Sequence, residues 1–273
     1  MEMKQLLDIA IAGVRLGTEI LKSRFGQVHL WQADAKGTSD YVSAVDRQSE
    51  EAMREFLQRE LPGSSFLGEE MGQGEEEGIY RWIVDPLDGT TNFLQGFPVF
   101  GVSAALEKRV PGQKWGELLI GVVMHPMTGE IWTAVKGHGA EKDGQPIRIG
   151  QKEDLSQALL ATGFPFRAKS ELQVYLKTFE ELFLRCSGIR RVGAASLDLC
   201  WTAEGVFDGF WEHRLSPWDI AAGALIIEEA GGKFTSFVGD NNYFTSGNVL
   251  GANPRIHALM LEIIQETAGT IPP

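Results

Sequence analysis

Apolar residues recur every three to four positions near the start of the chain. Met3, Leu7, Ala10, Val14 and Leu21 fall on one face, which predicts an amphipathic helix over residues 3–25. The polar, glycine-containing segment Lys36-Gly37-Thr38-Ser39-Asp40 reads as a mobile loop. Residues 41–46 alternate into a short extended stretch, and a helix follows over 50–60, closed by Leu61-Pro62-Gly63. Ser65-Phe66-Leu67 is a short strand that delivers Gly68-Glu69-Glu70 to its end. The apolar run 82–84 reads as a buried strand that Pro86, with no N–H to donate, brings to a stop. Strands are expected at 97–106, 116–124 and 130–135, with Asp143-Gly144 as a tight hairpin turn.

Beyond residue 150 strands and helices alternate. The pattern predicts strands at 158–162, 189–192, 206–211 and 249–252 and helices at 172–184, 197–203 and 217–230, with Pro254 opening a terminal helix. Such alternation argues for a layered α/β lobe, whereas the first half mixes helices with meandering strands. The chain reads as one unit of two lobes, 1–150 and 151–273, and as a layered α+β or α/β sandwich.

Composition narrows the function more than the fold. With 43% hydrophobic residues among 273, including 15 Phe and 7 Trp, the chain can bury a large core. No apolar run approaches the ~20 residues a spanning helix needs, and Met1-Glu2-Met3-Lys4-Gln5 lacks the shape of a signal peptide. Cys186 and Cys200 fit no metal spacing, so buried thiols in a reducing cytoplasm are expected. A formal net charge of −12 argues against nucleic acid as a direct partner. It also opposes an anionic substrate, unless divalent cations bridge carboxylates to it.

Such carboxylates stand in Arg81-Trp82-Ile83-Val84-Asp85-Pro86-Leu87-Asp88-Gly89-Thr90-Thr91-Asn92-Phe93. Asp85 and Asp88 are left at a strand end, close enough to share hard cations. Gly89 permits an unusual backbone angle, and Thr90 and Thr91 start a short helix whose free N–H groups can bind an anion. The plainer alternative is an Asp-Gly turn with capping threonines. Two further acidic positions also have ordinary explanations. Asp46 can be an N-cap, and Ser216-Pro217-Trp218-Asp219 can be a capping box with proline in the first turn.

The stretch Trp82 to Phe93 nevertheless resembles the signature of the inositol monophosphatase family. Gly68-Glu69-Glu70 upstream and Trp218-Asp219-Ile220-Ala221-Ala222-Gly223 downstream match that family's other motifs in order and spacing, so the resemblance covers nearly the whole chain. Ala161-Thr162-Gly163-Phe164-Pro165-Phe166 and Gly247-Asn248 further resemble its bacterial inositol-1-monophosphatase branch. The resemblance implies the αβαβα sugar-phosphatase fold, a homodimer, and a lithium-sensitive phosphatase acting on myo-inositol monophosphate through a metal-activated water.

It also implies residue roles. Glu69, Asp85 and the Leu87 carbonyl would hold a first Mg²⁺, Asp85, Asp88 and Asp219 a second, and Glu69 a weaker third, with Mn²⁺ as a substitute. Glu69 and Thr90 would orient the water, Asp46 would contact Thr90, and the second cation would stabilise the leaving alkoxide. The N–H groups of Gly89 and Thr90 would hold phosphate oxygens. Gly193, Ala194, Ala195 and Glu212 would contact the alcohol, the two alanines through backbone or packing alone. Two alternatives stay open: a sibling specificity for fructose-1,6-bisphosphate or another sugar or nucleotide phosphate, and a regulatory binding protein that keeps the fold. A bisphosphate enzyme would need cations near the distal phosphate; the local candidates Arg167, Lys169, Arg190, Arg191 and Arg214 read here as surface charges.

Overall fold

A computed structural model describes residues 1–27, 34–37, 40–42, 44–73, 78–166 and 168–268. Helix α1 (Met3–Arg24) buries Leu6, Ala10, Gly13, Val14, Gly17 and Leu21, while Met3 and Leu7 are only half-buried. The inward face is therefore rotated from the one the apolar pattern predicts. Gly13 and Gly17 account for the rotation, because added Cβ atoms there would lie 2.7 Å from Leu57 and 2.6 Å from Met53. Those two side chains belong to α2 (Ala44–Glu60). That helix begins six residues before the predicted start, so Asp46 sits within its first turn and is not an N-cap. The supposed mobile loop is also corrected. Lys36 and Gly37 lie in β1 (Asp34–Gly37), which pairs antiparallel with β2 (Asp40–Val42); Thr38 and Ser39 lie outside the described residues.

Among the described residues, eight strands form the larger sheet: β3 (Ser65–Gly68), β4 (Gly72–Gln73), β5 (Tyr80–Asp88), β6 (Gly101–Lys108), β7 (Glu117–Met124), β8 (Ile131–Val135), β9 (Gly139–Lys142) and β10 (Gln145–Pro146). Their order is β10-β9-β8-β7-β6-β5-β3-β4. A short helix α3 (Thr90–Leu94) follows β5. Asp143 and Gly144 both have positive φ, 51° and 74°, as a two-residue turn between β9 and β10 demands. Pro86 does not stop β5. Between Asp85↔Ser103 and Asp88↔Gly101 the strand advances three residues against two on β6, so the proline is absorbed in a bulge that needs no N–H.

The smaller sheet has the order β12-β11-β13-β15-β14, from β11 (Leu159–Thr162), β12 (Gly188–Arg190), β13 (Gly209–Glu212), β14 (Lys233–Thr235) and β15 (Val249–Ala252). Its helices are α4 (Leu172–Phe183), α5 (Ala195–Ala203), α6 (Pro217–Glu229), α7 (Tyr243–Ser246) and α8 (Pro254–Ala268). The predicted strands at 97–106 and 206–211 begin late, at Gly101 and Gly209, since Phe97 and Val206 stand in exposed turns. Sequence pattern does not find β14 or α7, which are too short to show a period.

Helices α1 and α2 cover one face of the larger sheet and α5 and α6 the other. The smaller sheet packs on the far side of α5 and α6, and α8, with α4 against it, closes the stack as αβαβα. Covered on both faces, β5 is buried from Arg81 to Asp88. One apolar cluster joins both sheets through α5 and α6, so the molecule's halves share a core. Among the described residues no helix is long and apolar enough to cross a membrane.

Strand β5 carries a buried ion pair. Arg81 lies 2.5 Å from Glu107 on β6, donates to the Lys114 carbonyl at 3.0 Å and stacks under Trp115; Glu107 accepts from Gly116 N–H at 2.8 Å. Removing one member strands a buried charge, which costs roughly 3–5 kcal/mol. Arg81→Met is thus expected to lower denaturant stability by that order, and the double variant Arg81→Met/Glu107→Leu to recover most of it. A single variant as stable as the double would contradict the buried-pair account.

Candidate active site

Two parallel strand pairs aim their ends at one place. In the β3–β5 pair Gly68 stands opposite Val84, so the next residues along, Glu69 and Asp85, lie side by side where β3 ends and β5 runs on. In the β11–β13 pair Thr162 stands opposite Trp211, which likewise juxtaposes Gly163 and Glu212. The N-termini of α5 and α6 enter the same region and bring Ala195 and Asp219. Between them lies a cleft of about 460 Å³. Glu69, Asp85, Leu87, Asp88, Gly89, Thr90, Gly193, Ala194, Ala195, Glu212 and Asp219 all line it. Asp46 does not, but it accepts a hydrogen bond from the Thr90 hydroxyl at 3.2 Å.

The three aspartates of the cleft are tethered before anything binds. Asp85 Oδ1 accepts from the Leu87 N–H at 3.0 Å. Asp88 Oδ2 accepts from Ser196 twice, from its N–H at 2.7 Å and its hydroxyl at 2.5 Å. Asp219 Oδ2 accepts from the Ser216 N–H at 2.7 Å, so the capping box expected from the sequence forms and also holds a cleft residue. The buried Asp85 Oδ2 has no hydrogen-bond partner. Among the described residues, no three His, Cys, Asp or Glu side chains are drawn into a ready-made cation cage. The cluster supplies oxygen donors around an orphaned carboxylate oxygen, which is chemistry suited to a hard divalent cation.

Burial raises the Asp85 carboxyl well above the ordinary range, with Glu69, Asp88 and Asp219 adding like-charge repulsion. Asp88 is pushed up to about 6, first by burial and then by Asp219, against the opposing bonds from Ser196. Gly89, with φ of 93°, turns the chain into α3 in a conformation side chains avoid. On the opposite wall the Glu212 carboxylate lies against Gly163, where an added Cβ would come within 2.0 Å of it.

Several contributors carry no local sequence signal. Ser196 reaches Asp88 across 108 residues, and Asn92 Nδ2 reaches the carbonyls of Val99 at 2.7 Å and Val192 at 3.0 Å, tying α3 to the Gly193 wall. Asp198 is buried behind the cleft, and burial and then Glu212 push its carboxyl up. Of the basic candidates, Arg191 and Arg214 line the cleft. Arg191 lies over the rings of Phe164 and Phe166, and Arg214 is paired with Glu171 at 2.8 Å. Lys169 and Arg190 are not in the lining, and Arg167 lies outside the described residues.

The family model described as "Inositol monophosphatase family" matches residues 2–268. The chain is 42% identical to an inositol-1-monophosphatase of Rhizobium meliloti, over 97% of this chain and 98% of that one. It is 38% identical to a fructose-1,6-bisphosphatase/inositol-1-monophosphatase of Aquifex aeolicus, over 97% of both, and 37% identical to the Nus factor SuhB of Escherichia coli K12, over 95% of both. The structure of inositol monophosphatase from Anabaena superposes with a TM-score of 0.86 at 32% identity, covering 98% of each chain.

The raised Asp88 pKa has a definite sign in stability. Its folded value of about 6 exceeds the ordinary 3.8, so protonation favours the folded state fully below about pH 4. That advantage is lost as pH rises through about 6. In chelator at pH 7, Asp85→Asn and Asp88→Asn are each expected to raise the melting temperature by a few degrees. Both variants should gain less than wild type on acidification from pH 7 to 5. Thermal melts at the two pH values check this, and a large loss of stability in either variant at pH 7 contradicts it.

Proposed function

The chain belongs to the inositol monophosphatase family, and from that premise we propose that it is a Mg²⁺-dependent phosphomonoesterase hydrolysing myo-inositol monophosphate to inositol and phosphate. The observation that carries this reading is the unpartnered Asp85 Oδ2, buried in a cleft that Glu69, Asp88 and Asp219 also line. A buried carboxylate oxygen among like charges calls for a cation. Glu69, Asp85 and the Leu87 carbonyl would hold one Mg²⁺, Asp85, Asp88 and Asp219 a second, and Glu69 a weaker third, with Mn²⁺ able to substitute. Bound Mg²⁺ supplies charge neutralisation at the phosphoryl group and makes water acidic enough to attack it.

The chain's own groups do the positioning. The Thr90 hydroxyl shares its one proton between Asp46 Oδ1 at 3.2 Å and the Leu87 carbonyl at 3.1 Å, so its lone pairs can accept from the attacking water, which Glu69 would also orient. The N–H groups of Gly89 and Thr90, at the start of a helix, are donors for phosphate oxygens. Glu212, seated on Gly163, accepts hydrogen bonds from adjacent hydroxyls of a polyol. Gly193, Ala194 and Ala195 form the facing wall through backbone and packing. A cytoplasmic, lithium-sensitive homodimer belongs to the same proposal.

A bisphosphate specificity is the second reading, supported by Arg191 and Arg214 in the cleft lining and by the Aquifex relative's name. Two features weigh against it: Arg214 is already paired with Glu171, and Glu212 would repel a second phosphate beside it. A partner-binding role, as the name of the Nus factor relative suggests, can coexist with catalysis because the cleft's carboxylates are all present.

Turnover is expected to require added Mg²⁺ and to fall in high lithium; full activity in excess chelator, with metal shown to be absent, contradicts the metal reading. Glu212→Gln should lower kcat/KM on inositol monophosphate by roughly 5- to 150-fold, the scale of 1–3 kcal/mol for a hydrogen bond to a charged group. A simple aryl phosphate should be affected much less. Equal loss on both substrates would remove the polyol role of Glu212. A wide wild-type preference for fructose-1,6-bisphosphate would replace the inositol assignment.

A further inference from the structure

Helix α2 turns three polar side chains into the core at i, i+3 and i+4, and each bonds a different segment that builds the cleft. Asp46 accepts from the Thr90 hydroxyl, and the Ser49 hydroxyl donates to the Pro86 carbonyl in the β5 bulge at 3.3 Å. Glu50, fully buried, accepts from two backbone donors: Glu70 N–H to Oε2 at 2.8 Å and Met71 N–H to Oε1 at 2.6 Å. Its carboxylate also fills the concave side of that turn, since a Cβ on Gly68 would lie 2.5–2.6 Å from it. Glu50 thus fixes the backbone on both sides of Glu69 while making no contribution to the cleft lining.

Burying a carboxylate is costly unless its hydrogen bonds are good, and a turn needing only closure could be packed with an apolar group. The two short bonds here hold the path of residues 68–71, and with it the direction in which Glu69 leaves the backbone. We infer that Glu50 is a positioning residue that sets cation affinity in the cleft by presenting Glu69, without touching the cation or the substrate. The inference rests on the proposed metal role of Glu69. Losing a group that orients a metal ligand commonly weakens binding roughly 10- to 100-fold.

The test uses the full chain, stripped of metal and titrated with Mg²⁺ by calorimetry, with amide exchange of Glu70 and Met71 followed in parallel. Wild type is measured first; absence of Mg²⁺ binding there overturns the metal reading and this inference together, before any variant is compared. In Glu50→Gln the dissociation constant for Mg²⁺ should rise roughly 10- to 100-fold. The Glu70 and Met71 amides should exchange faster while the sheet amides keep their protection. Turnover at saturating Mg²⁺ should return toward the wild-type kcat. Gly68→Ala, which displaces the carboxylate and keeps its charge, should reproduce this pattern, and Glu50→Asp should be intermediate; these two carry the test if Glu50→Gln does not fold. Wild-type Mg²⁺ affinity in folded Glu50→Gln or Gly68→Ala overturns the inference. So does affinity lost only in step with protection across the whole chain.

Discussion

Crowding of buried negative charge at the seam between two sheets is the constraint on which the rest of this structure depends. Asp85 and Asp88 lie at the end of a strand covered on both faces, Glu69 leaves the neighbouring parallel strand, and Asp219 arrives on a helix from the other side. Burial and the like charges around them disfavour the ionised forms of Asp85 and Asp88. A fold that concentrates carboxylates in this way must hold each one separately. It does so with backbone and hydroxyl donors: Leu87 for Asp85, Ser196 for Asp88 and Ser216 for Asp219. The second oxygen of Asp85 alone among these three is left buried without a partner.

The layering supplies the leverage. With α1 and α2 on one face of the larger sheet and α5 and α6 on the other, Asp85, Asp88 and Asp219 come from a strand and a helix fixed in packed layers, and Glu69 from the turn just beyond β3. The close approach of α1 at Gly13 and Gly17 locks α2, and α2 in turn reaches Thr90, Pro86 and the turn after β3. The bulge at Pro86 belongs to the same design, because it lets β5 carry on to Asp88 while exposing a carbonyl for Ser49 to meet.

Much of this was legible in the sequence where the chemistry is local. Asp85, Asp88, Gly89 and Thr90 fall within six residues, and Glu69 and Asp219 sit beside turn and capping signals that locate their elements. What the sequence hid was of two kinds. Short elements such as β14 and α7 show no period, and the alternation at 41–46 disguised the true start of α2, so Ser49 fell before the expected helix and Glu50 at its first position. The other kind is contact between distant segments. Ser196 to Asp88, Asn92 to Val192 and Glu50 to Glu70 are separated by 108, 100 and 20 residues, and an isolated Ser, Asn or Glu carries no mark of such a partner. The pairing of Arg81 with Glu107 escaped for the same reason, each residue standing one position outside a strand that the sequence pattern predicts.

On the proposed reading, the orphaned oxygen of Asp85 is the focus of a divalent-cation site built only from oxygen donors. Anomalous diffraction from crystals of the protein soaked in Mn²⁺ tests it most directly. Manganese peaks are expected at coordination distance from Asp85 Oδ2, with Glu69, Asp88 and Asp219 among the other ligands. Manganese bound elsewhere, or a cleft without a peak at saturating Mn²⁺, would contradict it.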